Sequence, residues 1–287
     1  MQVVRAASAL RTAISAARSR GERVGFVPTM GALHAGHLSL IDRARAACEC
    51  VVLSIFVNPL QFAPTEDLTT YPRTEAEDLA SAETHGATIA FVPSVEVMYP
   101  GPRVVAVVPE TIADRWEGAV RPGHFTGVLT VVAKLFNLVQ PDVAVFGQKD
   151  LQQAMLIGKM VRDLDFPVQL DIAPIVREPD GLAMSSRNRY LDTSHRGAAR
   201  ALSRGLAAVS EAFLGGLTDA ASLRARGEAL LRPGDGIVTD YLDVVSASSL
   251  EPVALATAGD YVILAARVGA TRLLDNHRLG DPFPLLT

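Results

Sequence analysis

The run His34-Ala35-Gly36-His37 places two imidazoles three residues apart, on one face of a helical turn. Gly36 between them has no side chain, so a ligand can come close to the backbone. The run belongs to a longer turn, Met30-Gly31-Ala32-Leu33-His34-Ala35-Gly36-His37, between an apolar stretch at Val24–Thr29 and a helical pattern at Leu38–Ala47. A turn from strand into helix presents unsatisfied N–H groups and the positive end of the helix dipole, an environment that suits phosphate. Two imidazoles there add donors for phosphate oxygens. One isolated histidine would read as an ordinary surface or capping residue. Two at this spacing, after an early strand, point to phosphoryl chemistry.

Two further segments offer groups of the same kind. Gly147-Gln148-Lys149-Asp150 ends an apolar run and opens a helical pattern. Lys149 supplies a mobile point charge for phosphate, and Asp150 suits either a helix cap or a ribose hydroxyl. Lysine occurs only at 134, 149 and 159, every other strongly basic residue being arginine, which makes Lys149 stand out. Met184-Ser185-Ser186-Arg187-Asn188 brings two hydroxyls and a guanidinium into a polar loop, Arg177–Arg189, that also holds Pro179 and Gly181. Taken singly, the lysine segment reads equally as a capped turn and the serine segment as a solvated linker. Together, all three lie beyond strand ends and all bind phosphate by type. No Walker loop and no G-x-G-x-x-G run accompanies them.

The elements that must position these residues follow from hydrophobic period. Val24–Thr29, Val51–Val57, Thr88–Val92, Val143–Phe146 and Val168–Ile175 are short apolar runs rich in β-branched residues, the pattern of buried strands. Pro28 sits near the end of the first, where a ladder donor is dispensable. Helical patterns alternate with them at Leu38–Ala47, Thr126–Leu138 and Leu151–Leu164. Such alternation predicts an α/β fold, a doubly wound, Rossmann-like parallel sheet. Beyond Ile175 the texture changes to two helical patterns, around Ala199–Phe213 and Ala220–Leu231, and then strands at Tyr241–Ser246, Tyr261–Val268 and Thr271–Asp275. This predicts a nucleotide-binding domain over 1–175 and a smaller α+β domain over 176–287.

Composition sets the outer limits. The 287 residues are 49% hydrophobic and 20% charged, as in a globular protein able to bury a core. A net charge of −4 argues against a nucleic-acid surface. No apolar run approaches the ~18 residues of a membrane span, and Met1–Leu10 lacks the apolar core of a signal peptide. Cys48 and Cys50 cannot make a zinc site alone and read as reduced thiols with side chains on opposite faces. A cytoplasmic location is the expectation.

The three segments resemble the nucleotidyltransferase superfamily. The resemblance narrows at Phe56-Val57-Asn58-Pro59-Leu60-Gln61-Phe62, Tyr71-Pro72-Arg73, Arg121-Pro122-Gly123-His124-Phe125-Thr126-Gly127, Gly147–Asp150 with Gln152-Gln153, and Met184–Arg187. In order and spacing these are similar to the pantothenate synthetase family. The tail Thr271–Asn276 extends the likeness over essentially the whole chain. Glu77 and Ser81 depart from the family's pattern, which often has aspartate and a longer polar residue there.

The resemblance implies an ATP-dependent ligase that adenylates pantoate and joins it to β-alanine. It implies charge stabilisation at phosphorus by His34, His37 and Lys149. ATP would contact Met30 through His37, Gly147 through Asp150, Val176 beside the adenine, and Met184, Ser185, Ser186 and Arg187. Gln61 and Gln153 would bind pantoate with Asn58 in support, and Arg121 and His124 would lie near the amine. Mg2+ would be held mostly by ATP and water, with Asp78 on the metal side. It further implies a homodimer, and the Arg177–Arg189 loop reads as a lid that orders with ATP. Two alternatives stay open at this point: a different adenylyl-transferring nucleotidyltransferase, which would need a phosphate pocket in place of Gln61 and Gln153, and an inactive nucleotide-binding module.

Overall fold

A computed structural model describes the chain apart from Thr65, Asp67, Pro233, Asp235 and residues 285–287. It divides into two compact units: Met1–Gln148 with Gln152–Pro174, and Lys149–Leu151 with Ile175–Thr287. The second unit thus begins one residue before the expected boundary and also takes in the lysine segment.

The first unit alternates strands and helices. These are β1 (Gln2–Val4), α1 (Ala7–Ser19), β2 (Val24–Thr29), α2 (Ala35–Ala47), β3 (Cys50–Ile55), α3 (Glu75–Thr84), β4 (Ile89–Phe91), α4 (Val95–Met98), α5 (Glu117–Val120), α6 (His124–Val139), β5 (Val143–Gly147), α7 (Leu151–Asp163) and β6 (Gln169–Ala173). The strands form a sheet in the order β1-β4-β3-β2-β5-β6, every pair parallel. This is the doubly wound α/β architecture expected from the run of apolar strands. Every residue of β3, and all but Pro28 in β2, is buried, which is why both read as continuous apolar runs. β1 and α1 had no clear signal. β1 is three residues long, and α1 buries only Leu10, Ile14 and Ala17 along an alanine-rich helix.

One face of the sheet packs against the apolar positions of α1, α6 and α7, the other against α2 and α3. α6 is buried nearly all round, so its sequence is apolar beyond a single stripe. Its Phe136 meets Phe26, Phe146 and Phe166 edge-on, at ring separations of 6.4, 6.3 and 5.6 Å. Such pairs contribute roughly 0.5–1.5 kcal/mol each beyond area burial. Cys50 lies in the α6-side core and Cys48, which caps α2, in the opposite one; both are free thiols.

Strand order reverses between β2 and β5, the point where open α/β sheets bind ligands. The carbonyl of Thr29 accepts from Phe56 N–H, on the β3 side, so Pro28, the residue before it, turns its ring nitrogen toward β5. Pairing of β2 with β5 ends at Phe26–Ala144, whereas pairing with β3 continues to Thr29–Ile55. A proline cannot donate to the ladder, and the sheet forks here at its carboxyl edge.

The second unit holds α8 (Thr193–Leu214), α9 (Ala220–Glu228) and an antiparallel sheet of β7 (Ile237–Val245), β8 (Tyr261–Val268) and β9 (Thr271–Arg278). Leu202, Leu206, Val209 and Leu223 pack with Val244, Val262, Leu264 and Leu273 in its core.

Gly127 is where α6 touches the turn Pro59–Gln61. A Cβ added there would lie 2.2 Å from the Leu60 carbonyl oxygen. Gly127→Ala should therefore lower stability by about 1–3 kcal/mol, as overpacking does. The check is a fall in the urea midpoint at unchanged slope.

Candidate active site

The histidine turn is built on hydrogen bonds from its own backbone. His34 is the N-cap of α2: its Nδ1 accepts from Gly36 N–H at 3.1 Å. That bond makes Nδ1 the acceptor and leaves the proton on Nε2, which fixes His34 as a neutral donor at the helix start. The His37 ring lies 4.0 Å from that of His34. Both side chains are half-buried, and Ala35 beside them is exposed. The arrangement combines two imidazoles with a helix N-terminus at the forked edge of the sheet.

The preceding residues are held by a buried carboxylate. Asp78, 3% exposed on α3, accepts from Ala32 N–H at 2.9 Å, Leu33 N–H at 2.7 Å and the Thr74 hydroxyl at 3.2 Å. Gly31 N–H donates to Thr29 Oγ1, which in turn donates to the Ser54 carbonyl. Gly31 at φ +83 and Ala32 at φ +51 adopt left-handed backbone here. Asp78, expected on the metal side, here holds the main chain of the histidine turn. Both its oxygens accept main-chain donors. Among the described residues no group of three His, Cys, Asp or Glu side chains is arranged to hold a metal.

Gln61 ends the Pro59–Gln61 turn, and its surroundings aim it. Asn58, buried at 1% exposure, donates from Nδ2 to Gln61 Oε1 at 3.0 Å and to the Gly127 carbonyl at 3.1 Å. Its Oδ1 accepts from Leu60 N–H and from the Tyr99 hydroxyl at 2.8 Å. With every amide valence of Asn58 in use, Gln61 presents its Nε2 end toward Met30, 3.2 Å from Sδ. Tyr99 carried no distinguishing signal in sequence. Burial pushes its phenol up to about 12, so it stays a donor at any ordinary pH.

Arg121 and His124, expected beside the amine, are bonded to each other and to the main chain of Gln61. Arg121 makes a two-pronged pair with Glu66 at 2.7 and 2.8 Å and reaches the Gln61 carbonyl at 3.3 Å. His124 Nδ1 donates to that same carbonyl at 2.8 Å, and its Nε2 accepts from Arg121 at 2.9 Å. Burial tends to raise the Glu66 pKa, but the Arg121 hydrogen bonds and charge outweigh it and hold the carboxyl low. Burial, then the Arg121 charge, pushes the His124 imidazole down to about 4 despite its bond to the Gln61 carbonyl and the nearby Glu117 and Glu66. The three side chains form a brace on the main chain of Gln61.

Of the two glutamines on α7, Gln152 is structural. It donates to the carbonyls of Ile112 and Arg115 and accepts from Glu117 N–H, which ties down the stretch before α6. Gln153 is half-buried on the same first turn. Gly147 closes β5 and Gln148, Lys149 and Asp150 form a 3-10 turn.

In the second unit the Lys149 carbonyl accepts from Asn276 Nδ2 at 3.1 Å, and Nζ lies 3.8 Å from Asp150. Val176–Met184 is a closed hairpin, with Met184 N–H on the Val176 carbonyl, Glu178 N–H on Leu182 and Gly181 at φ +88. Ser185 Oγ caps the 3-10 turn Ser186–Tyr190 by accepting from Arg187 N–H. Arg177 grips Asp275 at 2.6 and 3.0 Å, Arg196 grips Glu178 and Asp180, and Asn188 joins Glu178 to the Ala183 carbonyl. The stretch read from sequence as a plain polar loop is a folded and braced hairpin. Its ion pairs join residues up to 98 apart, beyond the reach of local pattern.

Two outcomes follow from this geometry. Asp78→Ala should release the turn, raising the KM for ATP at least about tenfold, since buried donors left unmade cost about 1–3 kcal/mol. The Mg2+ concentration for half-maximal rate should stay put; a matching shift there would make Asp78 a metal ligand after all. His124 is neutral in the folded chain but takes a proton near 6.5 when unfolded. Its contribution is present above pH 6.5 and is lost as pH falls toward about 4, amounting to roughly 3 kcal/mol. Urea unfolding should show this decline between those pH values, and His124→Gln should flatten it.

Comparison with known proteins identifies the family. The family model described as pantoate-beta-alanine ligase matches residues 2–278. A pantothenate synthetase from Acidobacterium capsulatum is 50% identical over 258 residues, 90% of this chain and 86% of that protein. The crystal structure of pantothenate synthetase from Thermus thermophilus superposes with a TM-score of 0.93 at 46% identity, over 99% of this chain and 100% of the other. That of pantoate-beta-alanine ligase from Francisella tularensis, complexed with beta-gamma ATP and β-alanine, gives 0.80 at 30% identity, over 97% of each. With its histidine turn, its braced glutamine and a match along nearly its whole length, the chain belongs to the pantoate–β-alanine ligase family.

Proposed function

We propose that the chain carries out its ligation of pantoate to β-alanine through a pantoyl adenylate. A pantoate carboxylate oxygen attacks the α-phosphorus of ATP, and the bond to the departing pyrophosphate breaks. The amine of β-alanine then attacks the acyl carbon, and the bond to AMP breaks. Adenylation is needed because a free carboxylate is a poor acyl donor. No protein nucleophile takes part. The amine, with a pKa near ~10 when free, must shed its proton before it attacks.

The observation that carries this reading is the capped His34. Its Nε2–H is set as a donor by the Gly36 bond, with the His37 ring tilted against it at 4.0 Å, both at the start of α2. Donors fixed before the reaction stabilise charge as it grows on phosphoryl oxygens, without reorganisation at the moment of transfer. Lys149 adds positive charge in this reading, and Gly147, Gln148 and Asp150 frame its turn. Main-chain atoms of Met30–Ala35, with Gly36, line the phosphate path. Val176 reads the adenine edge with its main chain, while Met184, Ser185, Ser186 and Arg187 contact phosphate from the second unit, which serves as the lid. Gln61 and Gln153 hold pantoate, whose hydroxyls and carboxylate match amide donors and acceptors. The beta-gamma ATP and β-alanine in complex with the Francisella protein favour these ligands over a plain adenylyl transferase or an inactive module. Mg2+ enters with ATP, coordinated by phosphate and water, in keeping with its preference for octahedral oxygen shells. The active form is a homodimer in the cytoplasm.

His37→Ala should lower the rate of ATP–pyrophosphate exchange with pantoate by about 10²–10³ while the fold persists. Exchange at the wild-type rate would remove the residue from the mechanism. Gln61→Ala should weaken pantoate far more than ATP; equal losses by calorimetry would count against its role. Exchange that ignores pantoate altogether would overturn the adenylate.

A further inference from the structure

In the second unit the segment after β9 folds back onto the foot of the hairpin Val176–Met184. Leu279, fully buried, donates its N–H to the Asp260 carbonyl at 2.7 Å, and Gly280 at φ +95 turns the chain. The Asp281 carbonyl accepts from His277 Nε2 at 3.0 Å, and the Asp281 carboxylate meets Arg278 at 3.3 Å. The ring of Phe283 comes to lie 4.9 Å from that of His277 and 4.7 Å from the guanidinium carbon of Arg177. Pro282 and Pro284 flank Phe283 and narrow its backbone, so less freedom is lost in holding the ring. Arg177 is the residue that ties the hairpin down. It reaches Asp275 of β9 at 2.6 and 3.0 Å and the Gly181 carbonyl across the hairpin at 3.1 Å. The paired side chains are 8% and 1% exposed. Among the described residues the buried Nε of Arg177 has no hydrogen-bond partner, and the electron-rich face of Phe283 is a further favourable contact for the cation. Asn276, next to Asp275, holds the Lys149 carbonyl, so one step of β9 serves both segments.

We propose that Phe283 is a positioning residue for the nucleotide: by covering the Arg177–Asp275 pair it fixes the hairpin whose Val176 reads the adenine edge. This rests on the role given to Val176 above. An ion pair weakens as water reaches it, because the dielectric around it rises. The ring shields the pair and adds its own attraction for the guanidinium. Arg177 follows Val176 directly in the chain, so play in the Arg177 side chain passes straight to the Val176 main chain. A main-chain contact to a base has no side-chain torsion with which to absorb the shift, and small misplacements are costly in such a site. The effect of Phe283 therefore falls on the nucleotide. Pantoate is assigned to Gln61 and Gln153, which belong to the first unit. If Phe283 merely closed the apolar core of the second unit, its loss would lower stability without preference for one substrate.

ATP–pyrophosphate exchange with pantoate, measured on the full chain, tests this. Phe283→Leu keeps apolar cover but removes the ring face. It should raise the KM for ATP about 3- to 10-fold, the worth of a partly buried cation–π contact, and leave kcat and the KM for pantoate unchanged. Phe283→Trp, which restores an aromatic face, should bring the ATP value back. Arg177→Lys gives up the fork and should raise the KM for ATP at least as much; Phe283→Leu added to it should cost little more, since the two act as one unit. The Met184 amide, which closes the hairpin on the Val176 carbonyl, should exchange its hydrogen faster in Phe283→Leu. The wild type should prefer ATP to inosine triphosphate, whose base edge differs, and Phe283→Leu should narrow that preference. Phe283→Met, longer and more adaptable, carries the same comparison if Phe283→Leu does not fold. Equal rises in KM for ATP and pantoate, or no change in KM and exchange, would overturn the role of Phe283 and leave that of Val176 standing. A wild type that does not distinguish the two triphosphates would overturn both.

Discussion

Two main-chain N–H groups, of Ala32 and Leu33, end on one buried carboxylate, and the rest of the site is set by that junction. A left-handed turn at Gly31 and Ala32 has no regular ladder to satisfy its donors. Asp78 supplies the acceptors from a neighbouring helix, and Thr29 and Ser54 tie the same turn to β3. His34 can then begin α2 in extended backbone and cap it with its own ring. The start of α2, and with it both imidazoles, is thus positioned by bonds to Asp78, Thr29 and Ser54. A carboxylate used in this way costs little, because its charge is met by N–H dipoles and a hydroxyl.

The same logic recurs at Gln61. A glutamine has three torsions to lose when its side chain is held in one orientation. Asn58 holds its oxygen, and Arg121 with His124 holds its carbonyl. Gly127 lets α6 come near enough for this to happen. His124 can act as a donor to a carbonyl and an acceptor from a guanidinium only while it is neutral. Its depressed pKa is therefore a condition of the brace as well as a result of burial.

Much of this was legible in the amino-acid order. β2, β5 and β8 follow their apolar runs closely because such strands are buried and short, and α6 was visible because its core is uninterrupted. The histidine turn was legible because a strand-to-helix turn is local: strand, glycine and two imidazoles lie close together along the chain. What escaped was contact at long range. Nothing in Tyr99, Asp78 or Glu66 shows that each is the partner of a residue 41, 46 or 55 positions away. The bonds of Arg121 and His124 to Glu66 and Gln61 were hidden for the same reason: their types suit a substrate as well as they suit a neighbour. The Arg177–Arg189 stretch looked like a linker because polar composition marks loops, and ion pairs with Asp275 and Arg196 leave no trace in local pattern.

Pro28 has a wider consequence. By ending the β2–β5 ladder it parts two strands that would otherwise zip together, and the gap opens at the switch point of the sheet. The width of the entrance is thereby written into the main chain, in the one residue type that cannot extend a ladder, and not into the side chains lining its walls. Those walls are free to drift in chemistry over evolutionary time while the opening keeps its place and size. A scaffold of that kind can exchange one acid for another without having to invent a new cleft.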